Sequence, residues 1–568
     1  MRIALLQLNA RLGGPEANGR VIEAAYGDAV AKGADLVMAP ELAVCGYLPE
    51  DRFWEPGLRA RMEAESRRLA SLSGGVPLIF GTASPAPSGR LWNELWWCER
   101  GGMRSRVRKR LLPSYDVFDE LRYFEPDFGP QPLVDFGGER IGLSICEDLW
   151  ADETLARNPV RYTVDPIEKL MEQGASLLLN ASASPGYLGS WMPEGKAAPW
   201  SVPSKIAQRR ALILGLSAKH GVPLAYADRC GAESWLLFDG GSGLSKPDGT
   251  WQGASPFHEG LVMVDTQAKG GPGVEVEEAR WLRAGLVMGL RDNLSKQGLE
   301  AIVLGLSGGI DSAVVAALAV EALGADKVLG VALPTRFSSE DSFRFAEEEA
   351  RDLGMPFLKL DADAPYAGFA SSLQAAFPDR AFSLTDENLQ SRARGSLLMG
   401  LTSEPAVHAK LGTSRVCVLN TGNKSEAATG YFTLYGDGIG AFGPLGDCLK
   451  ARVRALASVL PGVPQGVIAR PPTAELRPGQ TDEASLLPYR QLDAILAAAL
   501  EAQRPEEGLA DDLALLLDGD DLASARKALP RILGLIRRTE FKRRQLPFAL
   551  KVSPKAFGAG RRIPLTAE

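Results

Sequence analysis

Cys146 ends the apolar run IGLSIC and is followed at once by EDLW. A residue where a strand gives way to a turn is presented at the sheet edge rather than sealed within it. A free thiol, with a pKa near ~8.5, is mostly protonated at neutral pH and needs a base or a nearby cation before it can attack. Glu41 closes ADLVMAPE in the same way, and Lys109 lies in RVRKRLLP just before a proline. Three strand ends bearing acid, amine and thiol can converge on one pocket. There the glutamate can take the thiol proton, while the ammonium stabilises the oxyanion formed when sulfur attacks a carboxamide. Ammonia leaves first, and water then releases the acid from a thioester. Against this stands a plainer reading. Cysteine in an apolar strand is most often core filling, and a strand-terminal Glu or Lys is usually solvated. Spacing alone leaves both open.

A second constellation is LGLSGGIDS, which joins a strand to a helix. Gly308 and Gly309 let backbone amides face inward with no Cβ in the way, an anion nest at a helix N-terminus. Ser307 and Ser312 can donate hydroxyl hydrogen bonds, and Asp311 can hold a magnesium ion beside phosphates. A Gly-Gly turn alone is usually only structural. GYLGSWMPEGKA merely imitates a Walker loop, since its spacing is wrong and no Ser or Thr follows the lysine, so cleavage at a γ-phosphate of the P-loop kind is not indicated. Only His220, His258 and His408 are present, none in a catalytic frame. The chemistry therefore falls to carboxylate, lysine and thiol.

These groups need elements to position them, and two rhythms divide the chain. Up to about Asp265, short β runs dominate, with helical spacing around residues 15–32, 58–72 and 204–220 and a hairpin at Gly101-Gly102. That mixture predicts layered α/β with largely antiparallel sheets. QAKGGPGVE, residues 267–275, is a Gly/Pro break and the natural boundary. Beyond it AIVLGL feeds the helix IDSAVVAALAVEAL, and VLGVALP, FLKLDAD and VCVLNTG follow with helices between them. Strands alternating with helices predict βαβ crossovers and a doubly wound parallel sheet.

Length and composition set outer limits. A chain of 568 residues is too long for one core. A net charge of -7 gives no basic field for gripping a polynucleotide. No stretch reaches the apolar length of a membrane span, and no signal peptide is evident in MRIALLQLNAR. The six cysteines form no CxxC pair and have no histidine in metal-ligand spacing, so neither zinc nor a disulfide framework is expected, and the cytoplasm fits best.

PELAVCGYLPED, KRLLPSYDVFDELRYFEP, ICEDLW and NASASP, in that order, resemble the glutaminase domain of the nitrilase superfamily as found in NAD synthetases. The resemblance covers nearly all of residues 1–265 and implies an αββα sandwich. By position it implies Glu41 as base, Lys109 as the transition-state lysine and Cys146 as nucleophile. It implies Glu120 as a second acid orienting the lysine, and Tyr115, Ser182 and Ser184 at glutamine contacts. Relatives usually carry a basic residue soon after SASP for the glutamine carboxylate. Here an insertion, GYLGSWMPEGKAAPWSVPSK, leaves Lys196, Lys205 and Arg209 as candidates.

SGGIDS resembles the pyrophosphate loop of enzymes that split ATP between the α- and β-phosphates. DENLQSRARGSLLM, NTGNKSEAATGYFTLYGDGIGAFGPLGD, PPTAELRPGQTDE and EFKRRQLP extend this to the synthetase domain of NAD synthetases, over about residues 280–565. That resemblance implies domains at 1–268 and 276–568, the second an adenine-nucleotide-hydrolase fold of the ATP-pyrophosphatase type. It implies ATP at Gly305, Leu306, Ser307, Gly308, Gly309, Ile310, Asp311, Ser312 and Thr421. Deamido-NAD falls to Asn388, Glu426 and Lys542, and Mg2+ to Asp311 and Glu426, with Asp437 and Lys450 as secondary contacts. The implied reaction is amidation of deamido-NAD with ammonia from glutamine, in a homo-oligomer built on a synthetase-domain dimer. Rival readings are another amidotransferase using the same ATP loop, an amidase with an inert partner domain, and a nucleotide-binding regulatory module. Arg344 and Phe345, where acidic residues often follow TRFSSEDS, and the added length SEPAVHAKLGTSR depart from the family pattern.

Overall fold

The computed structural model describes residues 1–156, 158–273, 276–471, 473, 475–477, 480, 486–558 and 560–566. The last two residues of the expected 267–275 boundary, and parts of PPTAELRPGQTDE, lie outside the described residues. The chain divides into two compact units, one comprising Met1–Tyr187 and Ser204–Val276, the other Leu188–Pro203 and Glu277–Glu568. Most of the inserted stretch after SASP thus belongs with the second unit.

The first unit holds two six-stranded sheets. Side chains along a strand alternate between faces, and the chain uses both faces as core. In the strand Arg2–Gln7, Ile3 and Leu5 join Ile79 and Leu95 of their own sheet and Ile141, Leu143 and Leu179 of the other in one buried cluster. Ala4 and Leu6 point the opposite way, toward Ile22 and Leu69 of the helices Pro15–Ala31 and Pro56–Leu72. The second sheet is covered likewise by Ile167 and Leu170, and by Leu212, Ile213 and Leu216 of the helix Lys205–His220. The layers are therefore αββα. Antiparallel pairing occurs at the flanks of each sheet, as at Leu78–Pro85 with Leu91–Glu99. Antiparallel pairings outnumber parallel ones, as expected, but the centres of the two sheets are parallel. Arg2–Gln7, Leu36–Met38 and Leu78–Pro85 run parallel, as do Glu139–Ile145, Leu177–Ser182 and Leu224–Asp228. Helical crossovers join the parallel strands of the first sheet, as such pairing requires.

The second unit contains a four-stranded parallel sheet in the order Phe357–Lys359, Val328–Ala332, Ala301–Gly305, Val416–Val418. The order reverses beside Ala301–Gly305, the strand that leads into the helix Ile310–Leu323, and a doubly wound sheet binds ligands at such a point. A separate helical core of Leu492, Leu496, Leu513 and Ile532 also takes in Ala198 from the inserted segment, with Trp191 and Trp200 packed against it.

Gly81 allows one close approach that the first site depends on. A Cβ there would sit 2.2 Å from the Leu42 amide nitrogen and 2.5 Å from the Pro40 carbonyl oxygen. Gly81→Ala should displace the turn carrying Glu41 and destabilise this unit by about 1–3 kcal/mol. Denaturant unfolding measures this, and an unchanged midpoint would show that the turn moves aside freely.

Candidate active sites

The strand Glu139–Ile145 ends one residue before Cys146, and Cys146–Leu149 forms a single tight turn. Cys146 has φ +43°, a left-handed conformation that costs a non-glycine residue energy and recurs at functional turns. Asp148 holds this turn. Its carboxylate accepts from the amides of Ile145 at 3.0 Å, Leu111 at 3.0 Å and Arg110 at 3.1 Å. The turn that presents the thiol is thereby fixed to the segment that follows Lys109.

Lys109 has no side-chain exposure, and its ammonium donates at 2.7 Å to both Glu41 Oε1 and Glu120 Oε1, themselves sealed from solvent. Asn93 Nδ2 donates to Glu41 Oε1 at 2.8 Å and the Ala183 amide to Glu41 Oε2 at 3.0 Å. Tyr47 OH donates to Glu120 Oε1 at 2.7 Å. Burial alone lowers the Lys109 pKa, but Glu120, Glu41 and Cys146 carry it well above the ordinary lysine value. Burial pushes the Glu120 carboxyl up, against the pull of Lys109. The Cys146 thiol is raised by burial first and by Glu41, Glu120 and Glu147, with Lys109 opposing. The resting thiol is therefore protonated beside a carboxylate and an ammonium. Asn93, Tyr47 and Asp148 were not singled out by sequence, although Tyr47 and Asp148 lie inside two of the motifs quoted above.

Around the thiol, Tyr115 OH, Tyr162 OH and Asn158 Nδ2 all donate to Glu147 Oε1, at 2.9, 2.8 and 2.8 Å. Ser182 is buried, with its hydroxyl donating to Asn180 Oδ1 at 2.8 Å. The Ser184 amide donates to Asp228 Oδ1 at 2.9 Å, and its carbonyl accepts from Arg209 at 2.8 Å. The three basic candidates separate clearly. Arg209 is locked to Asp228 and Asp239, both at 0% side-chain exposure. Lys196 belongs to the second unit and pairs with Asp518 at 2.6 Å. Lys205 lies over the Trp150 ring at 3.6 Å from its centroid, with Glu147, Cys146 and Asp116 in its field. Burial lowers its pKa to about 8.

In the second unit Ser307 and Ser312 hydroxyls lie 3.1 Å apart, and Ser312 donates to the Gly309 carbonyl at 2.9 Å. Gly308 has φ +69°, and a Cβ there would meet the Ser342 carbonyl oxygen at 2.3 Å. Both facts require glycine. A cavity of about 540 Å³ opens beside this loop. Gly305, Leu306, Ser307, Gly309, Ile310, Asp311, Ser312, Thr421, Asn388, Glu426 and Lys542 all line it, with Lys450 and Asp437. Gly308 does not line it and faces Ser342 instead. Asp311 accepts from Asn423 Nδ2 at 3.1 Å and pairs with Lys450, whose ammonium also lies 3.5 Å from Glu426 Oε1. Asn388 Oδ1 accepts from Thr433 at 2.8 Å, and Lys542 donates to the carbonyls of Gly430 and Phe432. Burial pulls the Lys542 pKa down. Among the described residues no cluster of three or more His, Cys, Asp or Glu is arranged to hold a metal alone. The Asp311–Glu426 pair nevertheless already gathers a cation, in the form of the Lys450 ammonium. Two carboxylates beside a phosphate loop suit magnesium, which takes its remaining ligands from phosphate and water.

The family model described as carbon-nitrogen hydrolase matches residues 2–271, and that described as NAD synthase matches residues 283–546. The chain is 38% identical to the glutamine-dependent NAD(+) synthetase of Synechocystis sp., with 99% of this chain and 98% of the relative covered. It is 36% identical to that of Xanthomonas campestris pv. campestris, over 100% and 97%. Among solved structures, the glutamine-dependent NAD+ synthetase of Acinetobacter baumannii in complex with adenosine diphosphate is 30% identical, with TM-score 0.73 over 99% of this chain and 98% of that one.

Replacing Lys109 with methionine would leave Glu41 and Glu120 facing one another without their shared cation. Stability of the first unit should fall by about 3–5 kcal/mol, and denaturant unfolding measures it. A variant as stable as the parent would show that the ammonium is not what offsets the burial of these carboxylates.

Proposed function

The chain belongs to the glutamine-dependent NAD(+) synthetases, and from that premise we propose that its two units divide the family's reaction between named residues. It is a ligase that amidates deamido-NAD to NAD with ATP and nitrogen from glutamine. The observation that carries the division of labour is the buried Lys109 ammonium, 2.7 Å from both Glu41 and Glu120 beside a thiol-bearing strained turn.

In the first unit, Cys146 Sγ attacks the glutamine carboxamide carbon as its proton passes to Glu41. Burial raises the thiol pKa, so attack requires this transfer of its proton to Glu41. Lys109 stabilises the oxyanion, and Glu120 holds Lys109 in place. Glu41 returns the proton as the carbon–nitrogen bond breaks and ammonia leaves. It then takes a proton from the water that attacks the thioester, and returns it to Cys146 Sγ as the carbon–sulfur bond breaks and glutamate leaves. Glu147 and Lys205, of opposite charge, each lie within electrostatic reach of the thiol and are complementary to the charged head of glutamine. Lys205 receives the α-carboxylate, with Tyr115, Ser182 and Ser184 completing the pocket.

In the second unit, the carboxylate of deamido-NAD attacks the α-phosphorus of ATP. An oxygen–phosphorus bond forms, the bond to the β-phosphate breaks and pyrophosphate leaves. The loop from Gly305 to Ser312 holds the pyrophosphate through backbone amides and the Ser307 and Ser312 hydroxyls, and Thr421 contacts the nucleotide. Asn388, Glu426 and Lys542 orient deamido-NAD. Ammonia then attacks the acyl carbon, AMP leaves and a proton is released. Asp311 and Glu426 would hold magnesium, which when bound neutralises phosphate charge. The catalytic domains run from 1 to 268 and from 276 to 568, apart from Leu188–Pro203, which belongs with the second unit, and assembly into homo-oligomers through the synthetase unit belongs to the same reading. No described helix is long and apolar enough to cross a membrane. All six cysteines are free and buried, which fits work in the cytoplasm.

Cys146→Ala should abolish NAD formation with glutamine while free ammonia still supports it, and Asp311→Ala should fail with either donor. Both are read by a product assay with deamido-NAD and ATP. Loss of both activities in folded Cys146→Ala would overturn the division into two sites. The Lys205 charge is present below about 8 and lost above it, so the KM for glutamine should rise as pH climbs through that value. Lys205→Met should raise that KM about ten-fold or more at neutral pH and flatten its dependence on pH. A parent KM unchanged across that range would remove Lys205 from the site.

A further inference from the structure

The cavity of the second unit is lined by a carboxylate and a guanidinium to which no role has been given, Glu475 and Arg470. The helix Glu340–Asp352 begins there, with Ser339 as its N-cap. Glu475 Oε2 accepts from the Ser339 amide at 3.2 Å and the Ser342 hydroxyl at 2.9 Å. Glu475 Oε1 accepts from the Ser339 hydroxyl at 2.8 Å and from Arg470 Nη2 at 2.7 Å. Arg470 also donates to Ser342 Oγ at 2.8 Å and Ser339 Oγ at 3.1 Å. One backbone amide, two hydroxyls and a guanidinium thus converge on two anionic oxygens. The same donors suit the oxygens of a phosphate group.

The position of this seat gives it meaning. Ser342 packs against Gly308 of the phosphate loop so closely that no Cβ fits between them. Ser307, Gly309, Ser342, Arg470 and Glu475 line one continuous cavity. A triphosphate lying along the loop brings several negative charges into that space. A carboxylate that stays there opposes them, and one that leaves uncovers a cation and three further donors. Glu475 is also held at φ +49°, a conformation that its contacts must sustain.

We propose that Arg470, Ser339 and Ser342 form the seat for the outer phosphates of ATP, and that Glu475 fills this seat until the nucleotide displaces it. Arg470 thereby adds a side-chain cation to the amides and hydroxyls of the loop, where the Lys450 ammonium is already paired with Asp311. The proposal rests on reading the second unit as an ATP-pyrophosphatase site, and it names residues for the part of ATP that departs as pyrophosphate.

Calorimetric titration of the full chain with ATP and, separately, with AMP, both with magnesium present, tests it without reference to the acceptor. Arg470→Ala should weaken ATP binding about ten-fold or more and leave AMP binding within about two-fold. Glu475→Gln keeps the shape of the side chain but loosens its hold on the guanidinium. It should tighten ATP binding about three-fold or more, since less binding energy goes into opening the seat, again without effect on AMP. ATP affinity unaltered by Arg470→Ala, ATP and AMP weakened together, or Glu475→Gln binding ATP no more tightly than the parent would each overturn the proposal. If the unaltered chain binds no ATP at all, the reading of the unit falls as well.

Discussion

An ammonium group with no access to water must find its counter-charges inside the protein or give up its proton. Lys109 finds two, at equal distance, and each of those carboxylates is itself buried and bound by further donors. Burying such a cluster requires donors for its oxygens, and three of the four carboxyl oxygens have them, while Glu120 Oε2 has none. That requirement reaches outward through the unit. Glu41 follows the central parallel strand Leu36–Met38 of one sheet, Lys109 follows the edge strand Gly102–Arg108 of the same sheet, and Cys146 follows Glu139–Ile145 of the facing sheet. The two sheets are held face to face by alternating apolar side chains, and this packing brings the three strand ends together. Asp148 then locks the thiol turn to the lysine segment through three backbone amides. The core thus determines the geometry, and the charges determine what that geometry can do.

The second unit uses an ammonium between carboxylates as well, but in a softer setting. Lys450 is buried, whereas Asp311 and Glu426 each keep 19% side-chain exposure toward the cavity. Charges that must admit a cation and a polyphosphate cannot be sealed as Lys109 is. The same distinction separates the two glycine positions that shape the sites. Gly81 gives way to a backbone turn that stays put, while Gly308 gives way to Ser342 at the margin of a ligand cavity. The first unit is built to hold a reactive group still, and the second to receive a large anionic substrate.

Much of this was legible in the residues. A thiol, an acid and an amine, each at the end of an apolar run, pointed to a shared pocket, and the SGGIDS turn announced an anion site between a strand and a helix. Alternating β and α segments gave the parallel sheet of the second unit. The parallel centres of the first two sheets were not apparent, because short apolar strands read alike whichever direction their neighbours run. Asn93 and Tyr47 were equally hidden, since their meaning comes from partners 52 and 73 positions away. Lys196, Lys205 and Arg209 were indistinguishable by spacing. Only pairing separates them, two being held by carboxylates while Lys205 lies over an aromatic ring near the thiol. The seat at Glu475 left no local signal, because its donors come from segments more than 120 positions apart.

The central claim is that Cys146 becomes covalently acylated by glutamine within the Lys109 cluster. The most direct measurement is mass spectrometry of the chain quenched in acid during turnover with glutamine, followed by peptide mapping. The account predicts a glutamyl adduct on the peptide containing Cys146 and on no other cysteine. Sustained release of glutamate with that peptide unmodified, or with the adduct elsewhere, would contradict it.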